Sequence, residues 1–111
     1  MTSEHPIFTI TVMTIEWRTR SKESNEADMM VCNETRCMGF YHTLAEALEA
    51  VEENRGSMNE CLYSYLVIEE YGPGIQTLSE SEHWFEWDWD KNYWFHCNKP
   101  KDFFTCCYAM G

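Results

Sequence analysis

Only one stretch of this sequence carries a helical repeat; its other apolar stretches are patterned for strands. In residues 43–55 (TLAEALEAVEENR), Leu44, Ala47, Leu48 and Val51 recur at i, i+3, i+4 and i+7, which places them on one stripe of a helix. Thr43 suits the N-cap, Glu46 three residues on completes a capping box, and Gly56 suits the position just past the helix. By contrast, residues 7–17 (IFTITVMTIEW) alternate Phe8, Ile10 and Val12 with Thr9, Thr11 and Met13, the period of a strand. A single helix among strands has no second helix on which to bury its stripe. It must lie on a sheet, and the result is an α+β domain of two layers.

The remaining strands follow from shorter signals. Residues 18–28 are polar and read as a long loop, and residues 29–41 return as a strand. Residues 61–70 (CLYSYLVIEE) are apolar on both faces for most of their length. That pattern predicts a central strand covered on two sides, with Glu69 and Glu70 reaching solvent at its end. Residues 71–74 (YGPG) predict a turn. Residues 84–89 and 93–97 predict two aromatic strands joined by Asp90-Lys91-Asn92. Residues 102–110 fit a short strand or a terminal turn equally well. The expected order is β-β-α-β-β-β, a mostly antiparallel sheet of about five strands with one amphipathic helix packed on it. The 111 residues fit one domain without linker or repeat, and 44% hydrophobic content supplies a core.

The formal charge of −11 is not spread evenly. Between His42 and Asp90 lie twelve of the nineteen acids and one of the eight bases, Arg55, so the rest of the chain balances seven acids with seven bases. On the helix, Glu46–Glu49, Glu49–Glu52 and Glu49–Glu53 are like-charge neighbours, each costing ~0.2–0.5 kcal/mol, with no lysine placed to relieve them. In residues 84–90 (WFEWDWD), alternation puts Phe85, Trp87 and Trp89 on one face and Trp84, Glu86, Asp88 and Asp90 on the other. A field of this sign repels phosphate backbones and anionic membranes, which excludes direct nucleic-acid and membrane partners. It suits either a solvated face that keeps a small protein in solution or a surface shaped for a basic partner, such as the groove of a nucleic-acid-binding protein. The expected contacts are Glu46, Glu49, Glu52, Glu53, Glu86, Asp88 and Asp90, with Trp84 as an exposed aromatic anchor and Trp94 as a second.

Other chemistries leave fainter traces. Six cysteines are present, and with no secretory signal at the start of the sequence they are expected reduced in a cytoplasmic protein. Cys32, Cys37, His96, Cys97 and Cys106 could supply ligands to one zinc ion, although neither cysteine pair has the spacing of a zinc knuckle. Asp88-x-Asp90-x-Asn92 opens like a calcium loop, but Tyr93 and Lys99 stand where glycine and glutamate are needed. No phosphate loop, nucleophile elbow or zinc-protease motif occurs, so neither an enzyme nor a cofactor is expected. The competing function is a small-ligand or nucleotide-binding module that stacks bases on Trp87, Trp94 or Tyr93. It needs a basic pocket drawn from Arg18, Arg20, Arg36, Lys99 or Lys101.

Three clusters of residues form a recurrent pattern. They are Gly39-Phe40-Tyr41-His42-Thr43 with Ala45-Glu46-Ala47, Val51 and Asn54, then Tyr65-Leu66-Val67-Ile68-Glu69 with Gly74-Ile75, and Trp84-Phe85-x-Trp87. On these residues the chain resembles small acidic proteins of gut Firmicutes and their phages and mobile elements. In general character it is similar to phage anti-restriction and anti-CRISPR inhibitors. The motif resemblance is structural and brings no catalytic residues with it; the second likeness, of type and not of motif, implies an inhibitor by analogy.

Overall fold

A computed structural model describes residues 6–18, 29–58, 63–72, 79–103 and 108–109. Residues 19–28 of the expected 18–28 loop, the start of the 61–70 strand and residues 73–74 of the expected turn lie outside them, while Arg18 and Tyr71 belong to strands. Within the described residues the elements run β1 (Ile7–Arg18), β2 (Met29–Tyr41), α1 (Leu44–Glu52), β3 (Tyr65–Tyr71), β4 (Ser81–Asp88) and β5 (Tyr93–Cys97). The strands form one antiparallel sheet in the order β2-β1-β3-β4-β5, so β3 is central as its two-sided apolar pattern requires.

Period two divides the sheet into two apolar faces. On the first, Phe8, Ile10, Val12, Leu66, Ile68, Phe85, Trp87 and Trp94 pack against Ala47, Ala50 and Val51 of α1. On the second, Met13, Met30, Val67 and Trp84 pack against Phe103, with Tyr108 beside them. The C-terminal segment therefore covers the face that the helix leaves open. The described parts of that segment at 101–102 and 108–109 are turns rather than strand.

The helix matches its signals with two corrections. Thr43 is the N-cap, and its hydroxyl oxygen accepts from the Glu46 backbone N–H at 3.2 Å. The C′ position belongs to Asn54, not Gly56. With Glu53 as C-cap, Asn54 N–H donates to Val51 C=O and Arg55 N–H to Ala50 C=O, and Asn54 takes φ 49°. This is a Schellman motif with asparagine in the left-handed position. The buried stripe is Ala47, Ala50 and Val51, while Leu48 stays exposed.

Glu69 departs most from expectation. β3 runs on through it to Tyr71, paired on both sides, and the Glu69 side chain is fully buried. Its carboxylate accepts from the backbone N–H groups of Tyr108 at 3.1 Å and Ala109 at 3.2 Å, so it faces the C-terminal segment instead of solvent.

Candidate functional site

The outer face of α1 presents a group of exposed like charges. Burying Ala47, Ala50 and Val51 turns Glu46, Glu49, Glu52 and Glu53 outward, all exposed. Arg55 offsets part of this charge: its Nε lies 2.7 Å from Glu53 Oε2 and its Nη2 3.7 Å from Glu49 Oε1. Hydrogen bonds to the Tyr41 hydroxyl and to Glu53 raise the guanidinium pKa further, which fixes its charge. Among the described residues, no base pairs with Glu46 or Glu52.

The other predicted contacts do not join this face. Glu86 and Asp88 alternate with Phe85 and Trp87, whose rings meet the helix, so both acids belong to the opposite side of the sheet. Asp88 is occupied in closing the β4–β5 turn, where its Oδ1 accepts from the N–H groups of Asp90 at 2.9 Å and Lys91 at 3.0 Å. Asp90 is exposed in that turn. Trp84 is not an exposed anchor. It is 3% exposed, packed edge-on against Phe103 and Tyr108, and its Nε1–H donates to Glu82. Trp94 is 5% exposed, packs on Trp87, and donates its Nε1–H to Asn54 Oδ1. Both tryptophans hold layers together.

The exposed rings are others: Trp17, Phe40, Trp89 and Tyr93. Two of them flank a notch in the sheet. β3 begins at Tyr65, opposite Met13 on β1 and Glu86 on β4, yet β1 continues to Arg18 and β4 to Asp88. Beyond Ser64, whose N–H donates to Met13 C=O and whose C=O accepts from Trp87 N–H, each at 3.0 Å, a cleft of about 330 Å³ lies between Ile15, Trp17 and Met30 on one side and Glu86, Trp87 and Trp89 on the other, with Ser64 and Tyr65 at its closed end. Tyr65 donates a hydrogen bond to Glu86. Burial, then the Glu86 charge and that bond, push its pKa up to about 12. Only the register reveals this cleft, since it arises from a mismatch of strand lengths.

The alternative constellations are dispersed. Cys32 and Cys37 lie on β2, while His96 and Cys97 lie on β5, the opposite edge of the sheet. Four strand spacings of ~4.8 Å separate those edges by ~19 Å, far beyond what one metal ion with ~2.3 Å bonds can bridge. Cys106 lies outside the described residues, and no group of three metal-ligating side chains occurs among those described. Burial raises the pKa of Cys32, and burial with the Glu86 charge pushes Cys97 up to about 11, as in thiols packed as small apolar groups. The basic pocket fares similarly: Arg36 is on β2 and Lys99 follows β5, where it pairs with Glu82 at 3.3 Å. Arg20 and the Arg18 side chain lie outside the description. Trp87 and Trp94, expected to stack bases, are buried.

No described helix is long and apolar enough to cross a membrane. The chain matches no protein-family model, no curated protein and no solved structure.

Proposed function

We propose that the protein is a non-enzymatic, cytoplasmic binding protein that uses the outer face of α1 to occupy a basic groove on a nucleic-acid-binding protein, as a DNA-mimicking inhibitor does. A nuclease of a host defence system is the partner class to which the sequence resemblance points. The observation behind the proposal is the row Glu46, Glu49 and Glu52, exposed and stepping along one helix face. Three residues of helix advance ~4.5 Å. Phosphates in one DNA strand advance ~3.4 Å along the duplex axis, so the two charge rows are of similar density. The row also costs helix stability through like-charge neighbours, and no described base relieves Glu46 or Glu52. A basic partner would relieve that repulsion on binding.

The test is capture of nucleic-acid-binding proteins on the immobilised chain at low salt, followed by elution with excess duplex DNA or with high salt. A partner held by the acidic row is released by both, because exposed charge pairs are screened and DNA competes for the same groove. The triple variant Glu49→Lys, Glu52→Lys, Glu53→Lys should retain its circular dichroism and capture nothing. Undiminished capture by that variant overturns the proposal.

A further inference from the structure

The geometry points to a second recognition element: the notch beyond the end of β3 takes an arginine side chain of the partner. This rests on the proposed engagement of a basic protein and adds a defined pocket on the other side of the sheet. Trp17 is 62% exposed and Trp89 53% exposed, two large rings left in solvent on opposite walls of one cleft. Glu86 is the charged side chain of the lining, and no base among the described residues lines it. A carboxylate offers about four acceptor positions, and the Tyr65 hydroxyl uses one of them. A guanidinium fits what remains, because it stacks its plane on aromatic rings and presents a fork of donors to a carboxylate. At about 330 Å³ the cleft is at the small end of ligand sites, sized for one side chain rather than a larger molecule. The −11 of the chain adds long-range attraction for a cation.

The experiment titrates the full chain with the peptide acetyl-Gly-Arg-Gly-amide at low salt and follows the indole N–H resonances of Trp17 and Trp89 by NMR. Saturable shifts at both indoles are expected, and the same peptide with citrulline in place of arginine should give none. Trp17→Ala, at an exposed position, should weaken binding by roughly two- to five-fold, the range of an exposed cation–π contact. Glu86→Gln, which preserves shape, should weaken it by roughly three- to five-fold, the upper range of an exposed ion pair. The variant Glu49→Gln, Glu52→Gln, Glu53→Gln lowers only the long-range field and should weaken binding less than either notch variant. If that helix variant loses binding while the Trp17 and Glu86 variants keep it, arginine sits on α1: the notch proposal falls and the basic-partner proposal stands. Equal binding of the citrulline peptide, or absence of shifts at both indoles, also overturns the notch proposal.

Discussion

Replacing Glu69 tests whether the second layer of this protein is held by a buried carboxylate. Glu69→Gln preserves shape but exchanges one carboxylate oxygen for an NH₂ group. Of the two backbone donors at Tyr108 and Ala109, at 3.1 and 3.2 Å, one then faces another donor. Losing a hydrogen bond to a charged group costs ~1.5–3 kcal/mol, and a stranded buried donor adds ~1–3 kcal/mol. A neutral amide is cheaper to desolvate than a carboxylate, which offsets part of this. The net expectation is a loss of about 3 kcal/mol, or about 12 °C in Tm at roughly 4 °C per kcal/mol for a chain of this size. Phe103→Ala removes a 7%-exposed ring from the same layer and should cost a further ~3 kcal/mol by itself. If Glu69 acts by seating the C-terminal segment, the two losses are not additive, because either change releases the same segment. Urea titrations followed by near-ultraviolet circular dichroism should give a coupling of about 1 kcal/mol or more in the double variant. Additivity within about 0.5 kcal/mol, or a gain in stability on Glu69→Gln, would refute the reasoning.

Two further outcomes are expected. Thr43→Ala leaves the Glu46 N–H without its 3.2 Å acceptor and should cost about 1 kcal/mol, read as a fall in urea midpoint with unchanged slope. Stability should also fall at alkaline pH. Cys97 is held at about 11 against an ordinary 9.0, and Tyr65 at about 12 against 10.0, so the folded state binds both protons more tightly than the unfolded chain. Their contribution is complete below pH 9 and is lost as pH rises through 11 and 12. Urea midpoints measured from pH 8 to 12 should decline over that window, with Cys97→Ser removing the earlier part; an identical profile in the variant would contradict the assignment.

The fold was legible wherever one residue's neighbours state its environment. Alternation in 7–17 and the apolar run of β3 placed a strand and a central strand, and Thr43 with Glu46 placed the helix start. Legibility failed where the environment is set by distant chain. Glu69 resembles a solvated strand end because Glu70 follows it. The groups that bury it, Tyr108 and Ala109, belong to a terminal segment with no period to read. Trp84 was misplaced for the same reason: alternation separates its face from that of Phe85 but cannot say that Phe103 covers it. Conversely, Trp17 and Trp89 carried no local sign of exposure. Their walls of the notch exist because β1 and β4 outrun β3.

Folding also redistributes the charge that looked like one acidic stretch. Glu69 binds backbone, Glu70 accepts from the Ser81 hydroxyl, Glu82 takes the Trp84 indole and Lys99, and Asp88 closes a turn. These four acids are engaged within the protein, so a count of charge in the stretch overstates what a partner meets. Of the described acids left in the stretch, Glu80 and Asp90 are exposed at the ends of β4, while the exposed glutamates of α1 lie on one side of the sheet and half-buried Glu86 in its notch on the other. A partner lying flat on either face reaches the α1 glutamates or Glu86, not both. The two approach each other through a chain of contacts, with Asn54 bonded to Trp94 at 3.0 Å, Trp94 against Trp87 at 5.2 Å, and Trp87 against Trp89 at 6.4 Å. That chain links the C-terminal end of α1 to the rim of the notch. A partner that met both elements would have to wrap this end of the sheet, which favours a grooved or two-lobed basic surface over a flat one.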